Sequence, residues 1–166
     1  MKSAEYWIEK LKLQKHPEGG WFKEVYKSDE KVLKDHLHKR FAGDRHHSTS
    51  IYFLLSGNEF SAFHRIKSDE LWHFYEGSAT TIHMIDENGK YSKAVVGNKP
   101  DTDEAFQVVV GHGVWFASEL NDKNSYALVG CTVAPGFDYA DFEMGERNTL
   151  IKMFPLHKEL ITMLTI

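Results

Sequence analysis

Between residues 48 and 133 the chain is a series of short segments rich in β-branched and aromatic residues, separated by turn residues. Residues 49–55 form one such segment before the turn Ser56-Gly57-Asn58, and residues 80–85 end at the hairpin signal Asp86-Glu87-Asn88-Gly89-Lys90. Many short strands at regular intervals predict an all-β sandwich or barrel. The predicted strands are residues 21–26, 49–55, 60–66, 71–75, 80–85, 91–96, 106–110, 114–117 and 126–133.

Helical spacing of apolar residues occurs only near the two ends of the chain. Ser3 is a predicted N-cap, and the apolar residues between 6 and 13 recur at helical spacing. The segment His16-Pro17-Glu18-Gly19-Gly20 must end this helix, because proline and paired glycines cannot continue it. A last helix is predicted to begin at Pro155. Residues 28–47 are polar without a clear period, and we expect a long loop or an irregular arm there.

The composition is that of a globular protein and excludes several classes of function. With 166 residues, 42% hydrophobic and 27% charged, the chain has room for one domain, which we expect to span residues 1–166. A net charge of -4 argues against a nucleic-acid partner, and no segment has the apolar run of a signal peptide or a membrane span. The single cysteine, Cys131, permits no intramolecular disulfide and is interpreted as core packing, so we expect a cytoplasmic protein.

Residues 62–77 carry the strongest chemical signal in the chain, with two predicted strands around a short turn. Side chains alternate between the two faces of a strand, so the even-numbered residues from 60 to 66, including His64, share one face. That face is mostly apolar, and we expect it to line the interior together with Glu70 and Trp72 of the next strand. A buried histidine among apolar neighbours needs a partner, and a facing Glu70 carboxylate would supply one.

The same segment resembles the first conserved motif of the cupin barrels. In that motif a His, a second His and a Glu lie on adjoining strands, and a Gly follows seven residues after the Glu. His64, Glu70 and Gly77 match this pattern, whereas Ile66 stands at the second His. The segment Gly111-His112-Gly113-Val114-Trp115-Phe116 resembles the second motif, with Phe116 in place of its last His.

A cupin metal site would therefore lack two of its usual ligands in this chain. Imidazole and carboxylate ligands suit Fe, Mn, Ni or Zn, but two protein ligands, His64 and Glu70, make a poor site. His73 and His112 could substitute, although His73 is an odd number of residues from Glu70 and strand alternation directs it to the opposite face. We expect neither a metal nor another cofactor.

Four blocks extend the resemblance over nearly the whole chain. They are residues 16–22, 48–55, 63–77 and 128–137, and they run in the order of the cupin-5 type, domain of unknown function 985. The resemblance implies a cupin double-stranded β-helix, a jelly-roll barrel with short terminal helices. It also implies a single domain and a homodimer, but no particular activity.

One functional hypothesis is a metal-free enzyme. The cupin superfamily includes sugar-nucleotide epimerases that use a His base, and His64 lies on the equivalent strand. A near-neutral pKa suits a general base, and Glu70 could orient or charge it, so both are candidate catalytic residues for an isomerase of a sugar or sugar nucleotide. Those epimerases resemble one another in a Tyr acid that residues 132–135 lack. Tyr126 or Tyr139 could replace it only with suitable geometry.

The alternative hypothesis is binding of a small polar ligand without turnover. The candidate ligand-binding residues, which offer charge, hydrogen bonds and flat apolar walls, are Arg65, Trp72, His73 and Trp115. Glu18, beside a glycine pair, could close the mouth of the pocket or belong to a plain loop. Residues 138–143, which are acidic and aromatic, could edge the pocket or solvate a strand, and we favour the second interpretation. A third interpretation is that the histidine–glutamate pair is buried only to hold the strands together.

Overall fold

The computed structural model describes residues 2–166 and confirms the predicted all-β architecture with short helices near the ends. Strands are numbered in chain order. The first sheet contains, in spatial order, β1 (Gln14–Lys15), β2 (Trp21–Lys27), β5 (Thr49–Ser56), β13 (Tyr126–Ala134), β7 (Asp69–Gly77) and β11 (Gln107–Val110). The second sheet contains β10 (Glu104–Ala105), β9 (Tyr91–Val96), β8 (Thr80–Ile85), β12 (Trp115–Leu120), β6 (Phe60–Arg65) and β14 (Glu143–Met144).

The main core lies between these two sheets. Phe53 and Trp72 from the first sheet pack in one cluster with Ile82 and Phe116 from the second, and each is at most 1% exposed. Alternation along each strand directs one set of side chains inward, and burial of that apolar set stabilises the two layers against each other.

Strands β6 and β7 are consecutive in the chain but belong to different sheets. β6 pairs with β12 and β14, whereas β7 pairs with β11 and β13. The expectation that His64 and Glu70 lie on adjoining strands is therefore corrected. The chain crosses between the sheets at residues 66–68, so the two side chains approach the interior from opposite layers.

The N-terminal helix α1 (Ala4–Leu11) begins as its sequence predicts but ends before the predicted breaker at residues 16–20. The Ser3 Oγ accepts the Tyr6 N–H at 3.3 Å, and the helix ends at Lys12, which has a left-handed φ of 56°. No helix within residues 2–166 is long and apolar enough to cross a membrane.

Two helices pack on the outer face of the second sheet. They are α2 (Arg147–Met153) and α3 (Lys158–Met163), and Pro155 opens the short 3-10 turn between them rather than a helix of its own. Helix α2 is not predicted by the sequence analysis. Its N-cap, Glu146, accepts two backbone N–H groups, a role that serine, threonine, asparagine and aspartate usually fill.

Residues 28–47 contain more order than the predicted irregular loop. β3 (Lys31–Val32) and β4 (Arg45–His46) pair as a separate small sheet, with a 3-10 turn at Lys34–His36 between them. The buried Arg45 side chain ties this arm to Asp141.

Candidate functional site

A cavity with a volume of about 90 Å³ opens at one end of the space between the two sheets. Its wall comes from β2, β5, β6, β7 and β13, from the loop that carries Glu18, and from residues 137–142. The polar side chains in the wall are His16, Glu18, Glu24, Thr49, His64, Glu70, Cys131 and Tyr139. The apolar ones are Phe22, Ile51, Phe53, Ile66, Val133, Phe137 and Phe142.

His64 is 2% exposed, and both of its ring nitrogens are engaged. Nδ1 lies 2.7 Å from the Ala62 carbonyl oxygen, which can only accept, so Nδ1 carries a hydrogen. Nε2 lies 3.1 Å from Glu18 Oε2. A proton must lie between these two atoms, because a bare imidazole nitrogen and a bare carboxylate oxygen would repel each other.

The partner of His64 is thus Glu18, and the predicted His64–Glu70 pair is corrected. Glu18 Oε1 also accepts a hydrogen bond of 2.8 Å from the Ser61 hydroxyl. Glu18 belongs to the loop of residues 16–20, for which the sequence allowed either a plain turn or a wall of the pocket. It lines the cavity and is 7% exposed.

Glycines allow this loop to lie against the end of β6. Gly19 has a φ of 109°, and a Cβ there would come within 2.1 Å of the Phe60 carbonyl oxygen. The Ala62 N–H donates to the Glu18 carbonyl at 2.8 Å, so strand and loop are joined at the residue that supplies the carboxylate. The glycine pair therefore positions Glu18 over the cavity.

His16 is a second histidine in the wall, and it is not among the site residues predicted from the sequence. Its Nδ1 accepts the Glu18 backbone N–H at 3.3 Å, and its ring packs edge-on against Phe22 at 4.5 Å. Burial lowers the pKa of His16, although the nearby Glu18 carboxylate opposes this effect. The block of residues 16–20, where a histidine and a glutamate flank a proline and precede two glycines, carried the only signal for it.

Glu70 lies at the start of β7 and has no ion-pair partner within residues 2–166. The residue is 8% exposed, and its side chain lines the cavity. Burial raises the pKa of Glu70 to about 7, and His64 opposes that rise. The Trp72 indole and the Cys131 thiol also lower the pKa of Glu70, but Trp72 Nε1 has no hydrogen bond of normal geometry within residues 2–166.

Burial moves the other titratable groups of the site toward their neutral forms. It raises the pKa of Glu18, against the opposing effects of His16 and the Ser61 hydrogen bond. It lowers the pKa of His64, against the opposing Glu70 carboxylate. A neutral Glu18 carboxylic acid that donates to a neutral imidazole is the arrangement these directions favour.

Two side chains of residues 138–143 stand at the cavity mouth, which corrects the interpretation that this segment only solvates a strand. Tyr139 and Phe142 face the cavity from this segment. Asp141 anchors it through two hydrogen bonds from Arg45, Nε–Oδ2 at 2.6 Å and Nη2–Oδ1 at 2.7 Å. The aromatic wall therefore depends on a buried ion pair outside the cavity.

Four candidate ligand-binding residues lie away from the cavity. Arg65 points outward, pairs with Glu143 and covers the Trp115 ring at 4.5 Å, and Trp115 packs against the terminal helices. His73 lies on the outer face of the first sheet, 3.2 Å from the Thr132 hydroxyl, and Trp72 is buried deeper in the core. Alternation explains the outward placement of Arg65 and His73, since both are odd-numbered neighbours of inward residues.

The wall residues do not fit a cupin metal site. Phe116, at the position of the last ligand His, packs its ring 4.0 Å from the His64 ring, and Ile66 lines the cavity in place of the second His. No group of three or more His, Cys, Asp or Glu side chains among residues 2–166 is arranged to hold a metal ion. His64 is further engaged by Glu18 and Ala62, so neither of its ring nitrogens is free to bind a metal.

Comparison with known proteins identifies the family of this chain. The sequence profile of the family Cupin_5, described as Cupin superfamily (DUF985), matches residues 5–145. The crystal structure of protein SO0799 from Shewanella oneidensis is 36% identical, with a TM-score of 0.90 over 100% of this chain and 99% of that one. The uncharacterized protein YML079W of Saccharomyces cerevisiae is 29% identical over 148 residues, which are 84% of this chain and 73% of that protein.

A more distant similarity concerns the fold alone. Oxalate decarboxylase from Bacillus subtilis is 16% identical, with a TM-score of 0.55 over 90% of this chain and 36% of its own. The two-sheet barrel, the matched motifs and the profile over residues 5–145 lead to one conclusion: the chain belongs to the Cupin_5 family of the cupin superfamily.

Proposed function

We propose that this cupin protein is a metal-free acid–base catalyst that isomerises or epimerises a small sugar-like carbonyl compound. The observation that carries the proposal is that two carboxyl groups in different environments line the same cavity. Glu70 is buried and unpaired, whereas Glu18 shares a proton with His64. Two titratable groups in different environments are what acid and base roles require.

Glu70 is the proposed base. In its ionised form it removes a proton from the carbon next to the substrate carbonyl, and the electrons of that C–H bond form the C=C bond of an enol. The carbonyl oxygen takes the proton held between Glu18 and His64. In an α-hydroxy carbonyl compound this enol is an enediol. Glu70 gives its proton to the former carbonyl carbon while the other enediol hydroxyl returns a proton to the Glu18–His64 pair, which yields the isomer. Return of the proton to the original carbon on its opposite face, with the enol hydroxyl proton going back to the Glu18–His64 pair, yields the epimer; both groups are restored and no oxidant or reductant is consumed.

This assignment changes the role expected for His64. A base must present a free lone pair to the substrate, and neither nitrogen of His64 is free. His64 is instead proposed as a positioning residue that holds the Glu18 proton. The same engagement favours, as a second candidate function, a cavity that binds its ligand without turnover.

The cavity favours a small sugar-like molecule over a sugar nucleotide. A volume of about 90 Å³ holds roughly six to nine water-sized groups. Among residues 2–166, no lysine or arginine lines the cavity, and a nucleotide diphosphate requires cationic donors.

Proton exchange at carbon tests the catalytic proposal directly. Purified protein treated with a chelator is incubated in D₂O with dihydroxyacetone, erythrulose, fructose and glucosamine, and loss of the α-proton signal is followed by NMR. We expect exchange with at least one of these compounds, unchanged by the chelator. Saturable binding without exchange across the panel would refute catalysis and support ligand binding without turnover. Exchange that the chelator abolishes would contradict the metal-free mechanism.

We also propose that the chain forms a homodimer in the cytoplasm. Large apolar side chains on the first sheet, Tyr26, Tyr75 and Val109, are about half exposed, and such surfaces seek partners. The one cysteine is buried and unpaired, as in reducing compartments. Sedimentation velocity at micromolar concentration is expected to show a dimer, and a monomer there would refute the proposal.

A further inference from the structure

We propose that the ligand of this cavity carries a positive charge, as a protonated amine or a quaternary ammonium group held by Glu70 and the aromatic wall. The inference rests on the proposed function in one respect only, namely that both concern the same cavity. It names the chemical class that the cavity recognises, whether or not a proton is then transferred.

The charge inventory of the wall points to a cation. Within the described part of the chain, the carboxyl groups of Glu18, Glu24 and Glu70 line the cavity, and no lysine or arginine does. Glu18 is already engaged by His64, and Glu24 lies at the exposed rim. An anionic ligand would meet carboxylates without a compensating charge, and burying it there would be costly.

Glu70 is the buried carboxyl group of the wall that has no ion-pair partner among the described residues. It is 8% exposed, lines the cavity and makes no ion pair within residues 2–166. The titratable groups that face it are His64 from β6, Glu18 from the loop and Cys131 from β13. None of these is a cation at neutral pH, because burial lowers the pKa of His64. A buried carboxyl group without a cation must find one in its ligand or stay protonated.

Aromatic rings supply the remainder of a cation site. Phe22, Phe53, Phe137 and Phe142 line the cavity, and Tyr139 stands at its mouth. The electron-rich faces of such rings attract ammonium groups, most strongly where water is excluded. The apolar parts of the same ligand would contact Ile51 and Val133.

The volume sets the size of the ligand. About 90 Å³ accommodates roughly six to nine water-sized groups, which is the size of a small amino alcohol or a trimethylammonium head. Larger ligands would have to extend through the mouth beside Tyr139, which is itself exposed.

A matched pair of probes separates charge from shape. Choline and its neutral carbon isostere, 3,3-dimethylbutan-1-ol, are titrated into the protein at pH 6 and pH 8 and followed by chemical-shift changes. We expect choline to bind at least about tenfold more tightly than the isostere at pH 8. Because the cation binds the ionised Glu70 form, choline affinity should rise about tenfold from pH 6 to pH 8 for a carboxyl group that titrates near pH 7.

Two variants assign the preference to residues. Glu70→Gln should remove both the preference and its pH dependence, and Phe142→Leu should weaken choline more than the isostere. Glu143→Gln is the control, because it removes an exposed carboxylate outside the cavity. It should change neither the preference for choline nor its pH dependence. Melting temperatures verify that each variant is folded.

Several outcomes would overturn this inference. They are equal or tighter binding of the neutral isostere, choline affinity that falls as pH rises, no effect of Glu70→Gln, and no saturable binding of choline at 50 mM. Choline binding without α-proton exchange in the sugar panel would refute the proposed catalysis alone. Exchange of an uncharged sugar without choline binding would refute the cation site alone.

Discussion

Replacing Glu70 with glutamine is expected to abolish proton exchange and at the same time to stabilise the protein at alkaline pH. The amide keeps the size of the side chain but cannot accept a proton from carbon. Loss of a positioned general base costs about 10²–10⁴-fold in rate. In the wild type, the exchange rate should rise with pH through about 7, since the ionised form of Glu70 is the base.

The stability effect follows from the direction of the Glu70 pKa shift. Burial raises the pKa in the folded state from 4.5 to about 7, so the folded state binds more protons than the unfolded state between these values. Wild-type stability therefore falls as pH rises through this window, by about 3 kcal/mol in total. Glu70→Gln removes that loss and should be the more stable protein at pH 8, with little difference at pH 4.

Urea unfolding at both pH values, together with the exchange assay, checks this prediction. Glu143→Gln is the matched control, because it removes an exposed carboxylate from strand β14 of the second sheet, outside the cavity. A Glu70→Gln variant that keeps wild-type exchange, or that is less stable than wild type at pH 8, would contradict the assignment.

Replacing Asp141 with alanine is expected to destabilise the protein by about 3–5 kcal/mol, because it leaves a buried guanidinium unpaired. The Arg45 and Asp141 side chains are each 4% exposed and are joined by two hydrogen bonds. Lys67, 3.5 Å from Asp141, is partly exposed and can turn to solvent. The arm of residues 28–47 and the aromatic mouth would lose their common anchor.

Chemical denaturation measures the loss, and two further variants interpret it. Asp138→Ala removes only the exposed cap of the 3-10 turn and should cost about 1 kcal/mol. The double variant Arg45→Met with Asp141→Leu removes both charges and should recover most of the stability. A loss below about 1 kcal/mol for Asp141→Ala would show that the pair does not anchor the mouth.

Local patterns in the chain determined much of the fold and part of the site. The alternation of residues 60–66 predicted that His64 faces inward, and it does so from β6. Ser3 predicted the start of α1, although the helix ends at Leu11, before the breaker block at residues 16–20. These features depend on neighbours within a few residues, and the chemistry of the side chains and backbone settles them locally.

Only the tertiary structure decided which groups meet. His64 is paired with Glu18, 46 residues before it, rather than with Glu70, and Asp141 reaches Arg45 across 96 residues. Periodicity gives the face of a strand but not the sheet to which the strand belongs. The tertiary structure decided that Trp72 lies in the core and that Tyr139 and Phe142 line the cavity. Those contacts are set by the path of the chain between the two sheets, and the left-handed backbone at Gly19 brings the Glu18 loop onto β6.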